Sequence, residues 1–220
     1  MKKTFAIIGL GRFGGSMCET LIDADQEVLV IDSDEERINE YMNIATHAMI
    51  ANASEENTLK SIGMRNFDCV VVAIGEDVQA SIMVSLMLVD LGVKYIVAKA
   101  KNKNHARILE KIGVQKVVHP ERDMGVRTAK ELATNNVHEF IEITPDLSFA
   151  QIHIVNKKLV NRTLDELQIR QKYRLNVVGV KHGDAEFEWP EGTTIVRPDD
   201  FLYVAGRNND IERFDDEVNK

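Results

Sequence analysis

From Thr4 onward the chain alternates short apolar runs with stretches of helical length, the pattern of strand–helix–strand units around a parallel sheet. Six runs are apolar or β-branched and bounded by polar or glycine residues: Thr4–Gly9, Glu27–Ile31, His47–Ala51, Cys69–Ala73, Tyr95–Lys99 and Lys116–His119. Helices are predicted between them over Arg12–Ala24, Asp34–Asn43, Ser54–Ile62, Asp77–Leu91 and Lys103–Ile112. Six strands and five helices are the count of a full doubly wound sheet. His119-Pro120-Glu121 then opens another helix, with proline pre-set for the first turn, and Thr134-Asn135-Asn136 marks its end. This helix has no further parallel strand to feed. Met124, Ala129, Leu132 and Ala133 give it an apolar face for another body, so it reads as a crossover into a second domain and a dimer contact.

The texture changes from Phe140. Shorter strands are predicted at Phe140–Ile143, Gln151–Val155, Asn176–Lys181 and Asp200–Ala205, with a short helix at Thr163–Leu167 and a terminal one at Asp210–Asp216. That is a small α+β domain of about 80 residues, near the lower limit for a self-sufficient core. Dimerising would stabilise it.

The run Gly9-Leu10-Gly11-Arg12-Phe13-Gly14 fits G-x-G-x-x-G directly after a strand and at the start of a helix, the context that gives the motif meaning. Gly9 permits the tight turn, Gly11 lets the backbone approach a pyrophosphate, and Gly14 allows close helix–strand packing. The helix that follows points its free N–H groups and positive dipole end at the phosphates. Asp32 ends the second strand, where a carboxylate accepts hydrogen bonds from ribose hydroxyls and repels a 2′-phosphate. The competing reading makes Asp32 a helix cap, because Asp32-Ser33-Asp34-Glu35-Glu36 is a good helix start. Asn52 and Ala53 after the third strand, and Ile74, Gly75 and Glu76 after the fourth, belong to the same crevice at the carboxyl ends of the strands. The predicted organisation is a Rossmann-like nucleotide-binding domain at 1–119, a crossover helix at 120–137 and the α+β domain at 138–220.

Charge removes one class of function. The net charge is −8, with 16 basic against 19 acidic residues up to Val137 and 11 against 16 after it. Neither part has the basic bias of a duplex-binding surface, so no nucleic-acid partner is expected. No uninterrupted apolar run reaches membrane-spanning length, and Met1-Lys2-Lys3-Thr4 leads into the glycine motif rather than a cleavage site, so a soluble cytoplasmic protein is expected. Cys18 and Cys69 are too few for a disulfide framework and read as buried thiols. A dehydrogenase needs a proton donor or acceptor beside the nicotinamide. His47, His105, His119, His138, His153 and His182 are scattered, with no metal spacing and no triad order. A small NAD-dependent oxidoreductase remains the alternative, and no enzyme activity is expected. Arg12 stands out, since a bulky cation is not needed for the turn and is suited to an added phosphate.

These residues resemble a known family, the RCK or KTN domains that regulate potassium conductance, and in particular the cytosolic subunits of Ktr-type potassium transporters. The resemblance spans essentially the whole chain. It rests on Phe5–Gly14, Val30-Ile31-Asp32, Val70–Ile74 with Gly75-Glu76-Asp77, Val97-Ala98-Lys99-Ala100, and Val118-His119-Pro120-Glu121-Arg122-Asp123-Met124-Gly125. The chain departs from it at Ala51-Asn52-Ala53, where many relatives carry Gly-Asp-Ala and so an extra carboxylate.

The resemblance implies a homodimer assembling into an octameric ring at the inner face of the membrane, beneath a membrane potassium-transporting subunit. ATP and ADP, with NAD(H) as an alternative ligand, would favour different ring shapes. It implies that Arg12 reaches the terminal phosphate of the nucleotide bound by the partner protomer, with Lys99 nearby, and that Ser33 is among the nucleotide-binding residues. Glu121 would help hold a divalent or monovalent cation at the dimer interface; read from sequence alone, Glu121 is an acidic residue suited to a first helical turn. Thr163–Arg170 and Arg174–His182 resemble the family's C-terminal module, which in several Gram-positive members binds cyclic di-AMP. On that resemblance Arg170 contacts phosphate and Asn176 the adenine edge. Leu167, Ile169 and Pro190 form an apolar wall, with Val177 and His182 completing the set.

Overall fold

In the computed structural model, which describes residues 2–133, 137–183, 185 and 187–219, six strands form one parallel sheet. They are β1 (Thr4–Ile8), β2 (Glu27–Asp32), β3 (His47–Ile50), β4 (Cys69–Val72), β5 (Ile96–Lys99) and β6 (Lys116–Val118). Their order is β3-β2-β1-β4-β5-β6, which reverses direction between β1 and β4 as in a doubly wound fold. The connecting helices are α1 (Arg12–Asp23), α2 (Glu35–Tyr41), α3 (Glu56–Ile62), α4 (Val78–Asp90) and α5 (Lys103–Ile112), with a 3₁₀ turn at Met64–Asn66. The doubly wound expectation therefore holds, with element ends shifted by one or two residues.

Alternation along the strands explains why both faces are covered. Ala6, Ile8, Leu29, Ile31, Val70 and Val72 join Val84 and Leu88 of α4 and Ala106 and Leu109 of α5 on one face. Ile7, Val28, Val30 and Val71 point the other way, to Cys18 of α1 and Ile38 of α2. Each wholly buried Ile, Leu or Val side chain contributes roughly 1.5–3 kcal/mol relative to exposure. The two thiols sit in this packing, and burial pushes Cys18 and Cys69 up to about 11, which leaves them protonated and unreactive near neutrality.

The helix starts are specified by short side chains. Asp34 accepts from the Glu36 N–H, Asp77 from the Ala80 N–H at 2.9 Å, and Asn102 from the His105 N–H at 3.0 Å. Gly63 and Gly113 end α3 and α5 in the left-handed region, at φ 75° and 101°.

The chain divides into two compact units, 1–121 and 122–220. The sixth long helix, α6 (Pro120–Ala133), begins in the first and continues into the second. Its expected end at Thr134-Asn135-Asn136 lies outside the described residues.

In the second unit β7 (Val137–Thr144) and β8 (Leu147–His153) form a hairpin around Pro145-Asp146. After β9 (Arg162–Thr163) come α7 (Leu164–Leu167), α8 (Ile169–Tyr173), β10 (Asn176–Lys181), β11 (Phe187–Glu188), β12 (Ile195–Val196), β13 (Phe201–Arg207) and α9 (Asn208–Val218). The main sheet is antiparallel in the order β11-β10-β13-β8-β7, and β9 pairs with β12. Ala150, Ile152, Leu202 and Val204 pack with Ile211, Phe214 and Val218 of α9 to make the core. This is the small α+β domain expected, with α8 and three two-residue strands added.

One buried group has a testable consequence. His105 is 1% exposed; its Nδ1 accepts the Lys101 N–H at 3.2 Å, and its Nε2 is buried without a hydrogen-bond partner. The neutral ring therefore carries its proton on Nε2, and a second proton on Nδ1 would face a donor. Burial, reinforced by His119, holds the pKa below the ordinary histidine range. Above about pH 6.5 the ring is neutral in folded and unfolded chains alike; below it the unfolded chain takes the proton first, and stability falls. Melting temperatures between pH 7.5 and 5.5 should drop more steeply for the natural chain than for His105→Asn, and parallel profiles would refute the assignment.

Candidate functional site

The reversal of strand order between β1 and β4 leaves a crevice at the carboxyl edge of the sheet, and a cleft of about 820 Å³ occupies it. Four loops build it, with Lys99 and Glu121 beside them: the β1–α1 glycine turn, the β2–α2 turn, the turn after β3 and the turn after β4.

Gly9 and Gly14 make the first turn by fitting against each other. Gly9 has φ 97°, a conformation open chiefly to glycine, and the Cβ of any other residue at position 14 would lie 1.9 Å from the Gly9 carbonyl oxygen. Gly11 differs, because among the described residues no atom beyond its chain neighbours lies within 4 Å of where its Cβ would stand. The packing of the protein therefore does not itself require a glycine there. Gly11 also precedes the first turn of α1 without a side-chain cap, so the helix's leading N–H groups remain available to an anion.

Asp32 joins the first two loops. Its carboxylate is 9% exposed; Oδ2 accepts the Leu10 N–H at 2.7 Å and Oδ1 accepts the Asp34 N–H at 3.0 Å. It does not cap α2: Asp34 does, with its own side chain on the Glu36 N–H. The capping alternative for Asp32 is thus replaced by a role in fixing the glycine turn, and the residue lines the cleft. Arg37, one helical turn past Asp34, stands over both acids, with Nη1 3.6 Å from Asp32 Oδ2 and Nε 3.5 Å from Asp34 Oδ2. The sequence reading overlooked Arg37; the i, i+3 spacing from Asp34 at a helix start was the available signal.

The side of the cleft at Arg12 and Lys99 is cationic. Lys99 runs over Gly75, where a Cβ would come within 3.2 Å of its Nζ, and reaches Glu121 Oε1 at 2.5 Å. That hydrogen bond, the Glu121 N–H and the charges of Lys99 and Arg12 hold the Glu121 carboxyl below the usual carboxylate range. Arg12 is the exposed first residue of α1 and also lines the cleft. Lys101 ties the turn after β4 in place through the Glu76 carbonyl at 3.2 Å.

Gly9, Gly11, Arg12, Phe13, Asp32, Ser33, Asn52, Ala53, Ile74, Gly75, Glu76, Lys99 and Glu121 all line this one cleft, with Gly14 directly behind it. Asn52 organises its own turn, accepting from the Ser54 N–H at 3.0 Å and donating to Glu55 at 3.2 Å. No group of three or more His, Cys, Asp or Glu suited to a metal occurs among the described residues. Glu121 is, in the single chain, a partner of Lys99.

The residues assigned to a second ligand are placed differently. Leu167 and Ile169 are each 3% exposed and belong to the core of the second unit, so as placed they offer a ligand almost no surface and do not form the expected wall. His182 lies between Asp200, at 2.8 Å from Nδ1, and Glu188, at 3.4 Å from Nε2. Arg170 and Asn176 are exposed, and Val177 and Pro190 are partly buried.

Comparison with known proteins decides the family. The TrkA-N domain matches residues 5–120 and the TrkA-C domain residues 150–219. The chain belongs to the TrkA family. It is 46% identical to Ktr system potassium uptake protein C of Bacillus subtilis, over 99% of this chain and 98% of that protein. With Ktr system potassium uptake protein A of the same organism the figures are 43%, 98% and 96%. Among solved structures, the RCK domain of GsuK superposes with a TM-score of 0.71 at 16% identity, over all of this chain and 48% of that one. The GsuK channel bound to NAD gives 0.67 at 15%, over 96% and 38%. The chain therefore spans about half or less of those structures, which establish the fold. Both of these Ktr relatives are named as potassium uptake proteins and neither as an enzyme. No helix among the described residues is long and apolar enough to cross a membrane.

The contrast between two glycines is testable. Gly14→Ala should cost about 1–3 kcal/mol of stability, since the turn has to open. Gly11→Ala should leave the melting temperature nearly unchanged while weakening nucleotide binding at least tenfold. Chemical unfolding and calorimetry of both variants check this, and normal binding by Gly11→Ala would remove the phosphate-loop assignment.

Proposed function

We propose that this chain is the cytosolic regulatory subunit of a potassium uptake system, a switch read by ATP and ADP in the glycine cleft. The observation that carries the proposal is the composition of the cleft's phosphate end. A pyrophosphate needs only the glycine turn and the start of α1, yet Arg12 and Lys99 are added there, beside a carboxylate at the head of α6. Two extra cations suit a ligand whose phosphate number varies. On this reading Lys99 exchanges Glu121 for the terminal phosphate, and Glu121 is released to share a cation with a second copy of the chain.

Copies are needed because α6 leaves Met124, Val126 and Leu132 exposed, at 58%, 47% and 81%, which suits a homodimer contact. The finer picture is an octameric ring acting on a membrane potassium-transporting subunit, as the family resemblance implies. Such a ring switches only if ATP and ADP prefer different states, because a ligand with equal affinity for both shifts nothing. NAD(H) is the second reading, favoured by GsuK, a channel of the same fold solved bound to NAD.

Calorimetry with ATP, ADP and NADH separates the two. Arg12→Ala should weaken ATP at least tenfold, about 1.4 kcal/mol, and ADP less than threefold. Equal losses would refute phosphate counting by Arg12, and sub-micromolar NADH binding with weak ATP binding would replace the nucleotide proposed.

For the second unit we retain cyclic di-AMP as ligand, carried by the exposed Arg170 and Asn176 rather than by the buried Leu167 and Ile169. Arg170→Ala should lower cyclic di-AMP affinity at least tenfold and leave ATP binding intact. Unchanged cyclic di-AMP affinity in that titration would reject the assignment.

A further inference from the structure

A negative residue at the end of β2 is the usual device for selecting an unmodified ribose, and an arginine nearby is the usual device for accepting a ribose 2′-phosphate. This cleft contains both. Arg37 lines it, yet its guanidinium is engaged on two sides, by Asp32 at 3.6 Å and by Asp34 at 3.5 Å. The two contacts use different nitrogens, so the planar fork spans both carboxylates. With two acids against one base, the local charge sums to −1.

We propose that Asp34 is a specificity-determining residue of the nucleotide cleft, which keeps Arg37 from serving as a receptor for a 2′-phosphate. The inference rests on the nucleotide-binding reading above and deepens it by naming the ligand class that the ribose end rejects. Asp34 touches no ligand in this account; it is a positioning residue that acts through Arg37. Asp32 alone does not explain the selection. Its two oxygens already accept the Leu10 and Asp34 N–H groups, and a free Arg37 would offset its charge.

Asp34 is also the cap of α2, so its removal has to spare that role. Asparagine caps as well as aspartate, through the same side-chain oxygen on the Glu36 N–H, and removes only the charge. Asp34→Asn thus releases Arg37 on one side and takes the local sum to zero without unmaking the helix start.

The test uses two probes that differ only in the group at issue, AMP and adenosine 2′,5′-bisphosphate, each displacing ADP from the purified full chain. The natural chain should bind the bisphosphate at least tenfold more weakly than AMP. In Asp34→Asn the bisphosphate should improve at least tenfold while AMP and ADP stay within threefold. The improvement should be larger at pH 7.5 than at pH 5.5, because the second ionisation of a phosphate monoester lies near pH 6.

In Asp34→Asn/Arg37→Ala the improvement should vanish. A gain that survives in the double variant would assign the effect to charge removal alone and overturn the role of Arg37. No gain in Asp34→Asn would overturn the role of Asp34. A natural chain that binds no ADP at all would remove the nucleotide reading itself, which is a different result from an unchanged preference in a chain that binds ADP.

Discussion

The carboxylate of Asp32 is the constraint on which the cleft depends. Its two oxygens take N–H groups from two separate loops, Leu10 in the glycine turn and Asp34 in the turn before α2. Neither turn has a ladder of its own, and a buried amide without a partner costs about 1–3 kcal/mol. One side chain thus satisfies both and, with the Gly9 N–H on the Ile31 carbonyl, ties the glycine turn to the turn after β2. The same placement explains why Gly9 is bent to a positive φ and why position 14 has no room for a Cβ. The chain has to leave β1, present its amides and enter α1 within five residues, with the far side of the turn tied down.

Around that clamp the charges divide by position. Acids with one bound arginine collect at the end of β2, and cations with one bound carboxylate collect over β4 and β5. Such an arrangement fits a ligand with a neutral polar end and an anionic end, and it orients that ligand along the sheet edge. The electrostatics also connect to the fold. Glu121, the acid among the cations, is the second residue of α6, which begins in one compact unit and continues into the other. The partner of Lys99 is thus the start of that helix.

Most of the first unit was legible because its signals are local and repeated. Buried parallel strands read as continuous apolar runs, and Asp77, Asn102, Gly63 and Gly113 mark helix ends in the sequence itself. The site was legible for the same reason, since doubly wound topology gathers the ends of consecutive strands and so turns a list of loop residues into one cleft. What escaped notice depended on side-chain direction. Arg37 was overlooked on its short helix, and only the paired distances to Asp32 and Asp34 give it a place. Asp32 was weighed as the cap where Asp34 caps, because the capping preference does not say at which residue the helix begins.

The second unit was less legible, and α8 shows why. It starts after Gln168 at φ 52° and ends at Arg174 at φ 59°, both left-handed and neither a glycine, so the punctuation that marks α3 and α5 is missing. The family resemblance made Leu167 and Ile169 part of an apolar wall. In the structure they flank the left-handed Gln168, and that reversal turns both inward to the core shared with α9. The charged residue beside them, Arg170, is left outside. A left-handed residue between two apolar ones therefore does the sorting here that strict alternation does in a strand, and it separates the part of Leu167–Arg170 that builds the domain from the part available to a ligand.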